Sequence, residues 1–436
     1  MIKGQQKEAL QFLDGWVEGP EQLAVLKGYA GTGKTWLMGH WLERVSDRHP
    51  NWKIYVMAPT NKALDVLRGK CKDLENVAFM TVDSFLGNKI KRNDDGETVK
   101  SRTKGQEDPD LLICDEASMI KAEYDADLRR RKVKMLYVGD PAQLPPINET
   151  LSTAFAIPNQ FLMTEVVRYE GAIIKVATML RERIDSGEMF LLSDLRELRG
   201  EDRSLSFIKM YDLHDWALKA VRKGMDARIV AFTNADVNNH NAVMHRALFP
   251  GMPLFGVGER VVVNETFEVD LGIKDTKGQA MTEMLCNGEM FTVTECELAD
   301  PVEGVVICNV GVTNQLPVIR EDGSLDVSEL TRMHTLQVCF DETAMQAKHR
   351  ELTDLIWEGR REGKNDEVKR LVRLRAPLNK LAPLRHSYSC TVHKSQGSTY
   401  DIAFCDWSSI YKSKDRAKMM YVAATRPSKF LVMAAT

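Results

Sequence analysis

Near the N-terminus, Gly28-Tyr29-Ala30-Gly31-Thr32-Gly33-Lys34-Thr35 fits the pattern G-x-x-x-x-G-K-[ST]. It stands between a β-rich run, Leu23 to Lys27, and an amphipathic stretch, Lys34 to Val45. Such a turn works only where a strand passes into a helix, because there its N–H groups and the helix N-terminus converge on an anion. The segment therefore commits the chain to a strand–turn–helix unit. In it, the turn from Gly28 through Ala30, Gly31, Thr32 and Gly33 cradles phosphates, Lys34 neutralises the β and γ oxygens, and the Thr35 hydroxyl binds Mg²⁺.

The same grammar continues. Ile54 to Met57, Leu111 to Cys114 and Met135 to Val138 are further β-rich runs separated by helical patterns, which predicts a parallel sheet covered on both faces. It returns at Arg228 to Phe232, Tyr388 to Val392, Ile402 to Asp406 and Phe430 to Ala434, a second α/β domain. Between these lies an insertion, about 249–385, that begins as short alternating strands with Gly, Asn and Asp turns, the texture of a small antiparallel barrel, and turns helical from about Glu342 to Leu374. A smaller insertion, 86–109, carries a hairpin turn at Asn93-Asp94-Asp95-Gly96.

With 436 residues, 44% hydrophobic and 28% charged, the chain can bury several cores and is neither disordered nor a disulfide-stapled mini-domain. Fifty-nine basic residues against 62 acidic ones exclude capture of polyanions by bulk charge, so any nucleic-acid surface must be local. The eight cysteines form no C-x-x-C pair and several sit in apolar runs, which predicts reduced buried thiols and no zinc site. No stretch approaches the roughly 20 apolar residues of a membrane helix, and a cytoplasmic protein is expected.

A phosphate-binding turn needs a carboxylate at the end of another strand. Leu111-Leu112-Ile113-Cys114-Asp115-Glu116 supplies it, with Asp115 completing the Mg²⁺ shell and Glu116 orienting or deprotonating the attacking water. One strand later, Gly139-Asp140-Pro141-Ala142-Gln143-Leu144-Pro145-Pro146 leaves its strand on a glycine and is stiffened by prolines, so that Gln143 can sense the γ-phosphate.

This set resembles the superfamily 1 helicases, and further motifs follow in the family's order through nearly the whole chain. Ala58-Pro59-Thr60-Asn61-Lys62-Ala63 resembles motif Ia. Thr81-Val82-Asp83-Ser84-Phe85-Leu86 resembles the next DNA-contacting motif, and Thr164-Glu165-Val166-Val167-Arg168 resembles motif IV. Ala231-Phe232-Thr233-Asn234 is similar to a segment of the RecD and Dda group. Thr391-Val392-His393-Lys394-Ser395-Gln396-Gly397-Ser398 resembles motif V, and Tyr421-Val422-Ala423-Ala424-Thr425-Arg426 resembles motif VI. The wording of these motifs is closest to the 5′→3′ branch, superfamily 1B, and in particular to bacteriophage Dda-type enzymes.

The resemblance implies an α/β fold of two RecA-like P-loop domains, 1–85 with 110–170 and 171–248 with 386–436. The hairpin 86–109 is then a candidate strand-separating pin, and 249–385 an SH3-like β-barrel with a basic helical segment. It implies a monomeric motor that hydrolyses ATP with Mg²⁺ and moves on single-stranded DNA and single-strand/duplex junctions, in the host cytoplasm if phage-encoded. Single-strand-binding or replisome proteins are the implied protein partners, and replication, recombination or repair the setting. It further implies that Arg168 and Arg426 are arginine fingers, that Gln6 reads the adenine edge, and that Gly397 closely approaches nucleotide or strand. Pro59, Thr60, Asn61, Lys62, Thr81, Phe85, Asn234, Thr391, His393 and Lys394 become the DNA contacts. They would be sequence-blind, made to phosphates or, for Phe85, by stacking, unless that ring is buried. A translocase that displaces proteins without unwinding, or a nucleotide-gated subunit of a recombination complex, fits the same motifs.

Two places depart from the family pattern. Asp83 stands where the family has His, and its charge would repel a phosphate unless protein groups bind it. The pin region has no aromatic residue between Phe85 and Tyr124. From Arg360 to Arg385, nine basic residues face three acidic ones, a local patch for DNA or for a solvated helix.

Overall fold

A computed structural model describes residues 4–71, 74–92, 98–146, 148–167, 171–252, 254–274, 278, 280–314, 318–319, 325–326 and 333–435. The apolar runs form a six-stranded parallel sheet in the order Val77–Thr81, Ile54–Ala58, Leu111–Cys114, Lys134–Gly139, Leu23–Gly28, Gln160–Met163. Every residue of the two strands Ile54–Ala58 and Leu111–Cys114 is buried. Alternate residues serve opposite faces, as the two-residue strand period requires. Leu26, Val56, Ile113 and Leu136 pack with Trp16 and Trp41 of helices Gln5–Glu18 and Lys34–Arg48. Val25, Tyr55, Leu112 and Tyr137 pack with Val82, Phe85, Leu128 and Phe155.

A second parallel sheet has the order Ser389–Thr391, Ala227–Ala231, Tyr400–Asp406, Pro427–Ala435, Leu205–Lys209. Its helices Ala172–Ser186 and Arg416–Ala424 share an apolar cluster with Ala30, Ala142 and Leu144, which lie on loops leaving the first sheet. Both sheets belong to one compact unit, 1–88, 102–240 and 388–436. Three strands escaped the sequence reading: Val77–Thr81, Gln160–Met163 and Leu205–Lys209. All lie at sheet edges and are only partly buried, with apolar runs of at most four residues.

The second unit comprises 89–101 and 241–387. Its five-stranded sheet is antiparallel, in the order Met333–Cys339, Val305–Thr313, Met290–Val302, Arg260–Val263, Leu384–His386, around Phe255, Val261, Phe291, Val310 and Leu336. Ala382 N–H donates to Gln337 O at 2.7 Å, tying the segment before one edge strand to the other edge. Helices Glu342–Arg361 and Asn365–Arg375 follow, the first capped by Asp341. The basic patch is smaller than its sequence suggests. Arg375 is fully buried and donates to Thr353 Oγ1, while Arg385 pairs with Glu342 and Lys364 with Glu362. Strands Asn88–Arg92 and Thr98–Arg102 pair as a two-stranded sheet, and the turn expected at Asn93-Asp94-Asp95-Gly96 lies outside the described residues. All eight cysteines are free, but only Cys114, Cys308 and Cys405 are buried; the other five are half-buried, against the expectation of wholly buried thiols. Among the described residues no helix is long and apolar enough to cross a membrane.

At the root of the second unit, Glu259 lies between His245 Nδ1 at 3.0 Å and His386 Nδ1 at 2.7 Å. The other ring nitrogen of His245 faces the Met252 carbonyl at 3.2 Å. Both partners of His245 are acceptors, an arrangement that favours the ring with both nitrogens protonated. Burial opposes the Glu259 charge, yet hydrogen bonds from the two histidines outweigh it and hold the carboxyl at about 2. Burial likewise opposes the His245 charge, and the Glu259 bond outweighs it, raising the imidazole above 6.5. The carboxylate thus stabilises the fold above its ordinary 4.5, an effect lost as pH falls toward 2, and His245 stabilises below 6.5, an effect lost as pH rises through its raised value. Thermal unfolding should therefore show a stability plateau between these limits and a decline on the alkaline side. Glu259→Gln, which leaves a buried imidazolium unpaired, should cost about 3–5 kcal/mol and flatten the alkaline decline.

Candidate active site and nucleic-acid interface

Parallel strands all end at one rim, so the loops after Leu23–Gly28, Leu111–Cys114 and Lys134–Gly139 gather there. A cleft of about 130 Å³ opens among them, lined by Ala30, Gly31, Gly33, Lys34, Thr35, Trp36, Ala63, Val66, Lys70, Asp115, Glu116, Gln143, Gly397, Thr399 and Arg426. That volume is below the roughly 300–1,000 Å³ of a site enclosing a whole ligand, and its lining is that of a phosphate end.

Gly31 and Gly33 have φ of 84° and 82°, and Gly33 opens helix Lys34–Arg48 in a left-handed conformation that side chains disfavour. Lys34 Nζ donates to the carbonyls of Gly28 at 2.6 Å and Tyr29 at 3.1 Å, holding the ammonium over the loop. Gln6, nearly buried, donates to Thr32 O at 3.4 Å, beside the point where a Gly33 side chain would be. One residue expected in the cradle, Thr32, does not face the cleft, and one that lines it, Ala30, has its N–H engaged elsewhere. Thr32 is fully buried, and its hydroxyl and N–H both go to Tyr29 O, so it closes the turn from inside. The Ala30 N–H is also committed within the protein, to the Tyr421 hydroxyl at 3.0 Å.

Asp115 is buried, and desolvation with the neighbouring Glu116 charge pushes its carboxyl up to about 7, against the Glu116 N–H and Lys34. Glu116 itself sits at φ 51°, in the left-handed region, where the strand breaks into a turn. Gln143 is buried with its Oε1 unpartnered among the described residues, an acceptor atom at the wall of the cleft. A buried carboxylate at a strand end, an orphaned amide oxygen, a lysine resting on carbonyls and the Thr35 hydroxyl together fit a metal-bound polyphosphate.

Two motifs of the second sheet reach the same cleft. Gly397 has φ 71°, and a Cβ there would lie 3.9 Å from Glu116 Oε1 and from Ala63 Cβ. Arg426 is buried, its guanidinium bonded to Val422 O, Ser398 O and Thr425 Oγ1. Arg168 lies outside the described residues.

The expected strand contacts occupy equivalent places on both sheets. Ala58 pairs with Thr81 at the ends of two adjacent strands of the first sheet, and Ala231 with Thr391 at the ends of two adjacent strands of the second. At each end a threonine caps the following helix. Thr60 accepts from Ala63 N–H, Thr81 from Ser84, Thr233 from Asp236 and Thr391 from Lys394. Four helix N-termini are thereby presented at the rims. Pro59, Asn61, Lys62 and Asn234 stand at these junctions, and Lys394 is exposed. His393 is half-buried, and burial lowers its pKa, favouring the neutral ring.

Phe85 is not a stacking platform: it has no exposed surface and packs under Arg131 and edge-on to Tyr55. In the short helix Val82–Leu86 it points inward with Val82 and Leu86. Asp83 accepts from Tyr124 Oη at 2.7 Å and Asn88 Nδ2 at 3.1 Å, so its charge is spent on protein groups. Sequence reading passed over Asp140, Tyr421 and Arg181, all buried and all reaching the phosphate-binding turn or its neighbours. Only their places inside the Gly139-to-Pro146 segment and motif VI, and Arg181's position on an otherwise amphipathic helix, gave any signal. Gly33→Ala must displace Gln6 Nε2, 2.7 Å from the new Cβ, and adopt a strained φ. That strain, on the order of 1–2 kcal/mol, should weaken nucleotide binding about tenfold by calorimetry while the fold persists.

Comparisons with known proteins agree with this arrangement. The AAA domain family matches residues 1–194, and the UvrD-like helicase C-terminal domain family matches residues 386–434. An uncharacterized protein, R530, of Acanthamoeba polyphaga mimivirus is 24% identical, over 98% of this chain and 98% of its own length. The ATP-dependent DNA helicase dda of Enterobacteria phage T4 is 27% identical over 67% of each chain. Among solved structures, the Bacteroides Pif1 helicase in complex with ADP-AlF3 and ssDNA has a similar fold, with a TM-score of 0.52, 16% identity and coverage of 99% of this chain and 92% of that one. A Pif1 structure describing unwinding at forked dsDNA has a TM-score of 0.51 at 17% identity, covering 99% and 92%. With an AAA domain match at one end of the chain and a UvrD-like helicase C-terminal domain match at the other, the chain is similar in sequence to the ATP-dependent DNA helicase dda and in fold to the Pif1 helicases.

Proposed function

We propose that the chain is an ATP-driven motor that moves 5′→3′ along single-stranded DNA and unwinds the duplex ahead of it. The observation that carries this reading is the convergence of Lys34, Thr35, Asp115, Glu116 and Gln143 from one parallel sheet with Gly397 and Arg426 from the other on a single cleft. A cleft built from two sheets links phosphate chemistry to their separation. The dda DNA helicase and the ssDNA-bound Pif1 structure support the DNA substrate, and the 5′→3′ direction rests on the resemblance of the motifs to that branch.

In this reading residues 1–85 with 110–170 and 171–248 with 386–436 are the two motor domains, 86–109 the pin and 249–385 the accessory insertion. Thr35 and Asp115 would hold Mg²⁺, which would neutralise phosphate charge there. Lys34 leaves the Gly28 and Tyr29 carbonyls for the β and γ oxygens, and Gln6 reads the adenine edge. Glu116 orients the attacking water or takes its proton, while Gln143 senses the γ-phosphate. Arg426 and Arg168 stabilise the charge that builds on the transferred phosphoryl group. The four capped helix N-termini grip phosphates without reading bases, two on each sheet, so that opening and closing of the cleft shifts one pair relative to the other. The motor works as a monomer in the cytoplasm, that of the host if it is phage-encoded.

DNA-stimulated ATPase measurements test the core of this reading. Single-stranded DNA should raise turnover, and its failure to do so would remove the motor. Lys34→Ala should abolish turnover while leaving DNA binding within a few-fold of wild type. Duplexes with a 5′ single-stranded tail should unwind in preference to those with a 3′ tail, and the opposite preference would reverse the polarity. Intact stimulation without any strand separation would leave a translocase that clears proteins from the strand.

A further inference from the structure

Tyr421 lies on helix Arg416–Ala424 with no exposed surface, and its hydroxyl joins two loops of the other sheet. It donates to Asp140 Oδ2 at 2.7 Å and accepts from the Ala30 N–H of the phosphate-binding turn at 3.0 Å. Asp140, also fully buried, spends Oδ1 on Ala142 N–H at 3.0 Å and its backbone carbonyl on Gln143 N–H at 3.2 Å. The carboxylate therefore holds the turn that presents Gln143. One turn further along the helix, Thr425 Oγ1 donates to Tyr421 O at 2.8 Å and Arg426 Nε to Val422 O at 2.9 Å. A single phenol thus stands between the turn that grips phosphate, the loop that carries Gln143 and the helix end that carries Arg426.

We propose that Tyr421 is a positioning residue for phosphoryl transfer, setting Gln143 and Arg426 against the phosphate-binding turn through its hydroxyl while touching neither nucleotide nor water. The inference rests on the ATPase reading above. Phosphoryl transfer depends almost wholly on placement and electrostatics, and misplacement by about 1 Å costs on the order of 10²-fold. The hydroxyl suits this duty. Burial and the Asp140 charge raise its pKa well above 10, so it keeps its one proton for Asp140 and offers a lone pair to Ala30. Removing the oxygen deletes both bonds at once and takes a partner from the buried Asp140 carboxylate and from the Ala30 N–H. Arg181 completes the surroundings. Its guanidinium lies 3.9 Å from the Tyr29 ring centroid, and its Nη1 has no hydrogen-bond partner among the described residues. It leaves a positive charge beside the chain from Asp140 to Ala30.

The test is Tyr421→Phe in the full chain, which keeps the ring and deletes only the oxygen. In the single-stranded-DNA-stimulated ATPase, kcat should fall about 10- to 100-fold with KM for ATP within about twofold, the signature of an interaction made only in the transition state. ADP affinity should be unchanged, and affinity for ADP with aluminium fluoride should fall by the same factor as kcat. Asp140→Asn should act in the same direction, and the double variant should lose no more than the worse single one, because both act through one hydrogen bond. If Tyr421→Phe does not fold, Asp140→Asn carries the same kcat-against-KM expectation alone. A kcat within twofold of wild type, a loss confined to KM, or additive losses in the double variant would overturn the positioning role while leaving the ATPase standing. A wild-type protein without ATP turnover would overturn both.

Discussion

The apolar cluster that Ala30, Ala142 and Leu144 share with Val176, Leu180 and Val422 is the contact on which the rest of the molecule depends. These are rim residues of one parallel sheet packed among the covering helices of another. Without that burial the two sheets would be independent α/β layers, each with half a site. With it, the loops at the ends of Leu23–Gly28, Leu111–Cys114 and Lys134–Gly139 face Gly397 and Arg426 across a cleft. Small side chains at Ala30 and Ala142 permit the approach, and dispersion among close-packed atoms holds it.

Charge in the cleft is managed by partners that a ligand would replace. Lys34 rests on two backbone carbonyls and Arg426 on two carbonyls and a hydroxyl. The one strongly perturbed acid there, Asp115, is pushed upward by burial and by its neighbour. Each arrangement is tolerable without a phosphate and improved by one, since a metal-bound anion supplies the charge these groups lack. In the proposed reading, the same economy of placement lets a chain with slightly more acidic than basic residues follow a polyanion. Its candidate strand contacts are helix N-termini capped by threonines, repeated at matching positions on the two sheets.

The phosphate-binding turn, the Asp115-Glu116 strand end and the motif V and VI segments were legible because each is contiguous and its chemistry is local: a glycine for a positive φ, a carboxylate after an apolar strand, a threonine three residues ahead of the N–H it caps. The central strands were legible because burial on both faces demands unbroken apolar runs. Edge strands such as Leu205–Lys209 were not, since half-exposed positions accept polar residues. Phe85 shows the same limit from the other side. Its helix reads equally well with the ring turned out to a base or in to Tyr55, and only the packing of Val82 and Leu86 decides between them.

By itself the sequence determined two parallel α/β sheets, an antiparallel-to-helical insertion and the residues able to hold a polyphosphate, because these follow from periodicity and from spacings shorter than a helical turn. Tertiary structure alone decided what those residues rest on. Tyr421 meets Ala30 and Asp140 across 391 and 281 positions of chain, and His245 and His386 close on Glu259 from opposite ends of an insertion. Such contacts leave no local pattern, because a hydrogen bond between distant segments constrains only the geometry at which the intervening cores bring them together.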